Sequence, residues 1–284
     1  MDLIDLIIYI AIAFSGTVFG SFFTLAVHRI PKHQDITHER SYCPKCNHKL
    51  QFLDLIPVFS YIFLGGKCRY CKEKIRPRYL ILEICSGAVF LLLALSYSIN
   101  YNAFIHIENC WPMIVHFVLN VLFLCAIFII AGIDKEYKKI PNSLIIYGSI
   151  VCILKLAFQV FLCVTRHGDL RFVSDLLVGA LIPMGVLLIE LIYVKVSKKE
   201  DLPIGIGDLK YLAVLGLYFG LARLTVGVFL AMCIVLFVLL AKAFDTLIHK
   251  QKDVLKQIIT EKEIPLGFYL AIPFTFIMIF FPLM

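Results

Sequence analysis

Two aspartates, Asp134 in AGIDKEYKKIPN and Asp208 in PIGIGDLK, each stand where a long apolar run meets a short basic loop. A carboxylate held at the edge of the hydrocarbon is costly, so a pair at matched depth on one side points to a working site. Two carboxylates that share a proton cannot both ionise easily. One becomes a base that activates water and the other an acid toward a carbonyl. The pair, rather than either residue, then has the titration. Gly205 and Gly207 remove two side chains just before Asp208, so that another backbone can approach, and Pro141 follows in the Ile-Pro turn after Asp134. The chemistry suggested is peptide hydrolysis by an intramembrane aspartyl protease. Either aspartate alone is equally well explained as a helix cap or a solvated helix end.

A second cluster lies upstream. Cys43-Pro-Lys-Cys46 and Cys68-Arg-Tyr-Cys71 are two C-x2-C pairs separated by 21 residues. Four thiolates in two knuckles are the ligand set and spacing of a closed tetrahedral zinc site. Four cysteines leave no open position for water, so a structural ion is expected, stabilising a loop too small for a core of its own. Disulfides are the other account of the four, and a cytoplasmic location argues against them. His33, His38 and His48 are near enough in sequence to stand in as ligands. The remaining cysteines, Cys85, Cys110, Cys125, Cys152, Cys163 and Cys233, are scattered singly and read as small buried hydrophobes, with a Cys110–Cys163 pairing as the alternative.

The elements that must position these residues are membrane helices. The chain is 61% hydrophobic and 17% charged, a membrane composition. Apolar stretches near 3–27, 79–99, 113–133, 143–164, 173–194, 209–222, 224–241 and 265–283 are mostly long enough to cross a bilayer. The sixth is short, and Gly216 and Gly220 interrupt it. Of 27 Lys and Arg residues, 23 fall in segments 28–78, 134–142, 195–210 and 242–263, which places those segments and both aspartates in the cytoplasm and the N-terminus outside. The net charge of +7 is then a signal of topology and of attraction to anionic lipid. It does not indicate nucleic acid. The first stretch lacks a basic start and a small-residue cleavage site, so it reads as retained. Its Ser15, Gly16, Thr17, Gly20 and Ser21 offer a small-residue face for another helix.

The expected fold is therefore an all-α polytopic membrane protein of about eight transmembrane helices with an inserted cytoplasmic zinc-binding loop. Its parts are a first helix over 1–27, the loop over 28–78 and a membrane domain over 79–284. Between the knuckles, LQFLDLIPVFSYIFLGG is too short and too broken by Pro57 to cross, and is expected to lie in the plane of the interface.

The runs GTVFGSFFTLAVHRIP and RSYCPKCNHKLQFLDLIPVFSYIFLGGKCRYCKEKIRPRYLILE, followed by GIDKEYKKIPN and GIGDLKYLAVLGLYFG, resemble the type IV prepilin peptidases in order and spacing, from Gly16 to about Leu270. The resemblance implies Asp134 and Asp208 as the catalytic dyad. It also implies Cys43, Cys46, Cys68 and Cys71 as the zinc-type knuckles of the bacterial, two-activity branch. Members of that branch cut the basic leader from prepilins of type IV pili, or from pseudopilins of type II secretion and competence, at the cytoplasmic membrane face. They then methylate the new amino terminus with S-adenosylmethionine. No glycine-rich fingerprint or βαβ pattern is visible, so the methyl donor is not placed by a soluble-methyltransferase rule.

Two departures from the family stand out. Asn142 occupies a position commonly acidic, and EIPLGFYL replaces a commoner Pro-hydrophobic-Gly-Pro-Phe pattern. Neither is expected to touch the dyad. Glu200 and Asp201 either attract the basic leader or are solvated loop residues. Glu83 and Glu190 either support a site or the methyl donor, or form links between helices; Lys155, deep in an apolar run, has no assigned role. A transporter or proton-coupled channel with paired aspartates is the alternative from another class, and a non-catalytic pilus-assembly component is a third. The transporter predicts aspartates at mid-membrane and internal repeats, and the sequence shows neither.

Overall fold

The computed structural model describes residues 2–36, 40–43, 45–165, 170–197, 205–248 and 264–282. His38, Arg166, Glu200 and Asp201 lie outside the described residues. The helices are α1 (Leu3–Arg29), α2 (Phe59–Phe63), α3 (Arg78–Ser96), α4 (Tyr101–Ile105), α5 (Ile107–Tyr137), α6 (Asn142–Thr165), α7 (Arg171–Ser197), α8 (Ile206–Phe219), α9 (Leu221–Ile248) and α10 (Leu266–Phe280). Short 3-10 turns cover Ile30–Lys32 and Phe52–Leu55. No strand forms among the described residues. An apolar chain in lipid must satisfy its backbone hydrogen bonds within itself, which favours helix throughout.

Each of the eight apolar stretches of the sequence becomes a helix. Six helices, α1, α3, α5, α6, α7 and α9, contain runs long and apolar enough to cross a membrane. The other two are short. With 14 residues, α8 rises about 21 Å, against a hydrocarbon core of about 30 Å. α10 has 15 residues.

Two compact units are present, Met1–Gly132 with Met278–Met284, and Ile133–Ile277. In the first, α3 packs on the small-residue face of α1. A side chain at Gly16 would put its Cβ 2.9 Å from Gly87 Cα, and one at Gly20 would fall 2.8 Å from Glu83 Cα. Only hydrogen at these positions lets the two backbones approach so closely. At the end of α1 the buried Arg29 donates from Nη1 to Asp35 O at 2.7 Å and from Nη2 to Arg40 O at 3.3 Å, tying down the start of the cysteine loop.

In the second unit the short helix α8 is the inner element. Leu209, Tyr211, Val214, Leu215, Tyr218 and Phe219 are all buried. It crosses α7 in backbone contact: a Cβ at Gly179 would lie 2.7 Å from Gly216 O, and one at Gly216 would fall onto Gly179 O. The helix stops at Gly220, whose φ of 81° suits glycine.

Both sides of that stop are held by polar side chains. Lys155, buried in α6, donates to Tyr218 O at 3.4 Å and lies 3.5 Å over the Tyr218 ring. A donor there satisfies a carbonyl of the last turn that has no partner within the helix. Asp175 Oδ1 accepts from Leu221 N at 3.2 Å, at the start of α9. The role missing for Lys155 in the sequence is thus a clamp on the end of α8.

Candidate active site

Asp134 is buried near the end of α5, at 4% exposure. Its Oδ2 accepts from Phe268 N at 3.1 Å, and the N–H of Gly267 also faces it. Both donors are in the first turn of α10, where backbone N–H groups have no partner within the helix. The positive end of a helix is therefore aimed at this carboxylate. A Cβ at Gly267 would lie 3.1 Å from Asp134 Oδ2, so glycine is what leaves room for the carboxylate. Lys135 Nζ lies 4.3 Å over the Phe268 ring, on the same turn. The EIPLGFYL segment, expected to leave the dyad alone, touches it. Its departure from the family pattern lies beside a carboxylate because the working atoms there are backbone N–H groups.

Asp208 is in the first turn of α8 and only partly buried. Its N–H donates to Gly205 O at 3.0 Å. A Cβ at Gly205 would lie 2.8 Å from Asp208 Oδ2, and one at Gly207 would lie 3.2 Å from Ile140 Cβ. The two glycines have different reasons. Gly205 makes room for the aspartate's own carboxylate, and Gly207 lets the Ile140 side of the Ile140-Pro141 turn come close. Pro141 O accepts from Leu144 N at 3.2 Å at the start of α6, and Asn142 Oδ1 accepts from Lys210 Nζ at 3.2 Å. The other departure from the family pattern therefore also bears on the site, by joining the start of α6 to the second turn of α8.

The second unit brings the two aspartates together, since the charge on Asp134 acts on Asp208. Tyr211, one turn beyond Asp208 and 1% exposed, also feels Asp134, and its hydroxyl has no hydrogen-bond partner among the described residues. The sequence did not single out Tyr211, Gly267 or Phe268. For Tyr211 the i+3 spacing from Asp208 was the available signal.

In the first unit, the sulfurs of Cys43, Cys46, Cys68 and Cys71 all lie within 4.8 Å of one another, with Cys43 and Cys71 at 3.9 Å. A zinc ion with Zn–S bonds of about 2.3 Å puts its sulfurs about 3.8 Å apart, so the group fits such an ion. Neither His33 nor His48 joins the cluster; His48 instead stacks on Tyr70 with ring centroids 3.6 Å apart.

The two knuckles repeat one another. Asn47 N donates to Cys43 O at 2.8 Å and Lys72 N to Cys68 O at 3.0 Å; Cys43 N donates to His48 O and Cys68 N to Glu73 O. Asn47 and Lys72 both have positive φ, 56° and 60°, and the bridges Tyr42–Lys49 and Lys67–Lys74 correspond. Burial pushes the Cys43 thiol up, but the N–H groups of Cys46 and Lys45 outweigh it and bring it down to about 7. Cys110 and Cys163 are both free thiols.

Glu83 is buried and accepts from Val58 N at 2.7 Å. It fastens the loop to α3. Glu190 is buried in α7, with one carboxylate oxygen lacking a partner among the described residues.

Residues 14–97 match the model of the bacterial peptidase A24 N-terminal domain, and residues 121–240 match that of the type IV leader peptidase family. A prepilin leader peptidase/N-methyltransferase of Klebsiella pneumoniae is 28% identical over 213 residues, covering 72% of this chain and 82% of that protein. One from Bacillus subtilis is 31% identical over 132 residues, 46% of this chain and 48% of that protein. One from Vibrio cholerae is 28% identical over 211 residues, 72% and 74% respectively. No solved structure matches the chain.

Proposed function

The chain belongs to the type IV leader peptidase family, and on that premise we propose that it removes the basic leader from prepilins or pseudopilins, with Asp134 and Asp208 as its catalytic pair. The single observation that supports this assignment is the placement of both carboxylates within one compact unit, close enough to interact, with a helix N-terminus aimed at one of them. The N–H groups of Phe268 and Gly267 offset part of the cost of burying a charge on Asp134, which suits it to draw a proton from water. Asp208, half-open to solvent and without such donors among the described residues, is suited to hold the pair's proton and pass it to the scissile carbonyl. Gly205, Gly207 and Pro141 support the pair by allowing these approaches.

The proposed setting is the bacterial cytoplasmic membrane, with the N-terminus outside and the pair facing the cytoplasm. A leader that stays in the cytoplasm while the pilin's apolar stem lies in the bilayer is cut at the boundary between them. The proposed organisation is the helix 1–27, a metal loop 28–78 and the membrane domain 79–284. In the loop, Cys43, Cys46, Cys68 and Cys71 would hold a structural zinc ion, which supplies a cross-link and no open coordination site.

N-methylation of the new terminus follows from the relatives' name, and the donor by resemblance is S-adenosylmethionine. When bound, that donor supplies a methyl group to a free amine. Of the buried glutamates considered for it, Glu83 is committed to Val58.

Cleavage of a prepilin in proteoliposomes by the wild type, Asp134→Asn and Asp208→Asn tests the pair. Each well-folded variant is expected to lose at least about 100-fold in rate. Full activity in either variant overturns the assignment. Transfer of label from S-adenosylmethionine to the cleaved product tests the second activity separately.

A further inference from the structure

Between the two knuckles the chain presents an unusual surface. Phe52, Leu53, Phe59, Ile62 and Phe63 are 80%, 59%, 52%, 62% and 83% exposed, all within twelve residues. A water-facing loop rarely shows so many large apolar side chains together without a partner.

The backbone that aims them is held in a strained shape. Val58 has φ 63° and ψ −54°, and Phe59 N donates to Pro57 O at 2.6 Å across it. This is a γ-turn of the rare positive-φ form, and for a β-branched residue such a φ is an outlier. It persists because the buried Glu83 accepts the N–H of Val58 at 2.7 Å. Strain maintained by a buried carboxylate marks a place where geometry is needed.

Glu83 also fixes the depth of this surface. It lies in the second turn of α3, a helix long and apolar enough to span, and its neighbours Ile81 and Ile84 are themselves exposed. α2 is therefore tied to the first two turns of a membrane helix, at the border of the hydrocarbon. Tyr61 adds a second tie, donating to Ile75 O at 3.3 Å. A cleft of about 260 Å³ opens beside α2, lined mainly by Leu53, Ile56, Phe59, Phe63 and Leu64, with room for acyl methylenes. The charges that follow suit the same partner. Lys67, Lys72, Lys74, Arg76 and Arg78 fall within twelve residues, with Glu73 as the one acid among them, while Arg69 is paired with Asp54 of the arch at 2.6 Å.

We propose that the Phe52–Phe63 arch is a lipid-docking element, its apolar side chains inserted into the interface of an anionic leaflet and locked at that depth by the Glu83–Val58 hydrogen bond. Basic residues beside buried apolar ones are the combination that binds such a surface. Insertion fixes the metal loop against the bilayer.

The full chain in nanodiscs of phosphatidylglycerol and phosphatidylcholine tests this. Trp111 is replaced by Phe, and Phe63→Trp supplies the one reporter. Its emission is expected to be blue-shifted and quenched at least about threefold more by shallow spin-labelled lipid than by aqueous acrylamide. Glu83→Gln, which keeps α3's shape but weakens the latch, is expected to shift the balance toward acrylamide with metal content unchanged. A second reporter, Phe52→Trp, is expected to give the same lipid quenching and covers a Phe63 variant that fails to fold. Acrylamide-accessible reporters at both positions overturn the proposal. So does protection that appears only when two copies share a disc, which assigns the surface to a second copy.

Discussion

The N–H of Phe268 donates to Asp134 Oδ2 at 3.1 Å, so a carboxylate on α5 closes the open N-terminus of α10. Residues 134 positions apart are joined there by a backbone donor. Gly267 stands beside that bond with no room for a methyl group, its Cβ position 3.1 Å from the same oxygen. Gly267→Ala is expected to displace the carboxylate by a few tenths of an ångström and lower the rate of prepilin cleavage about tenfold or more. Thermal stability should change by about 1 kcal/mol or less. Cleavage kinetics and melting of the same purified variant check both expectations.

Gly216→Ala is a test of how α8 is held. The new methyl group would fall onto Gly179 O, and backbone cannot move aside as a flexible side chain can. About 3 kcal/mol of destabilisation is expected, with cleavage lost in step because Asp208 is on the displaced helix. Reversible unfolding in mixed micelles measures the first effect. Unchanged stability would mean that the α7–α8 crossing is looser than described.

The metal loop yields a stabilising variant. Lys72 adopts φ 60°, where a side chain costs about 1 kcal/mol relative to glycine. Lys72→Gly keeps the N–H that donates to Cys68 O and should slow chelator-driven release of zinc about fivefold. In the opposite direction, Cys43→Ser with Cys46→Ser is expected to release the metal. Metal content by emission spectroscopy and release rates with a chromogenic chelator settle both.

Tyr211 supplies a fourth. A buried hydroxyl without a partner costs stability, so Tyr211→Phe should raise it by about 1 kcal/mol. A loss of stability instead would show that the hydroxyl is hydrogen-bonded in the membrane.

The sequence made the helices legible because lipid leaves an apolar chain few alternatives, and the eight stretches marked by hydropathy correspond to eight helices. It also made the aspartates and cysteines conspicuous, since a carboxylate or a C-x2-C pair stands out among leucines. Gly267 and Phe268 were illegible as neighbours of Asp134 because they act through N–H groups that every residue has. Lys155 was illegible for a related reason. Its partner is the carbonyl of Tyr218, 63 residues away, and no side chain announces a helix end. Asn142 looked like a change beside the site, but its bond to Lys210 makes it a link between the two aspartate motifs.

The anchoring of α8 restricts insertions and deletions as well as substitutions. Asp208 is set at one end, Tyr218 at the other, and Gly216 meets a neighbouring backbone between them. One residue added between Asp208 and Gly216 would turn Gly216 by about 100° and lift Tyr218 by about 1.5 Å. The glycine would then leave α7 and the carbonyl would leave Lys155. α8 can therefore change in composition only at constant length.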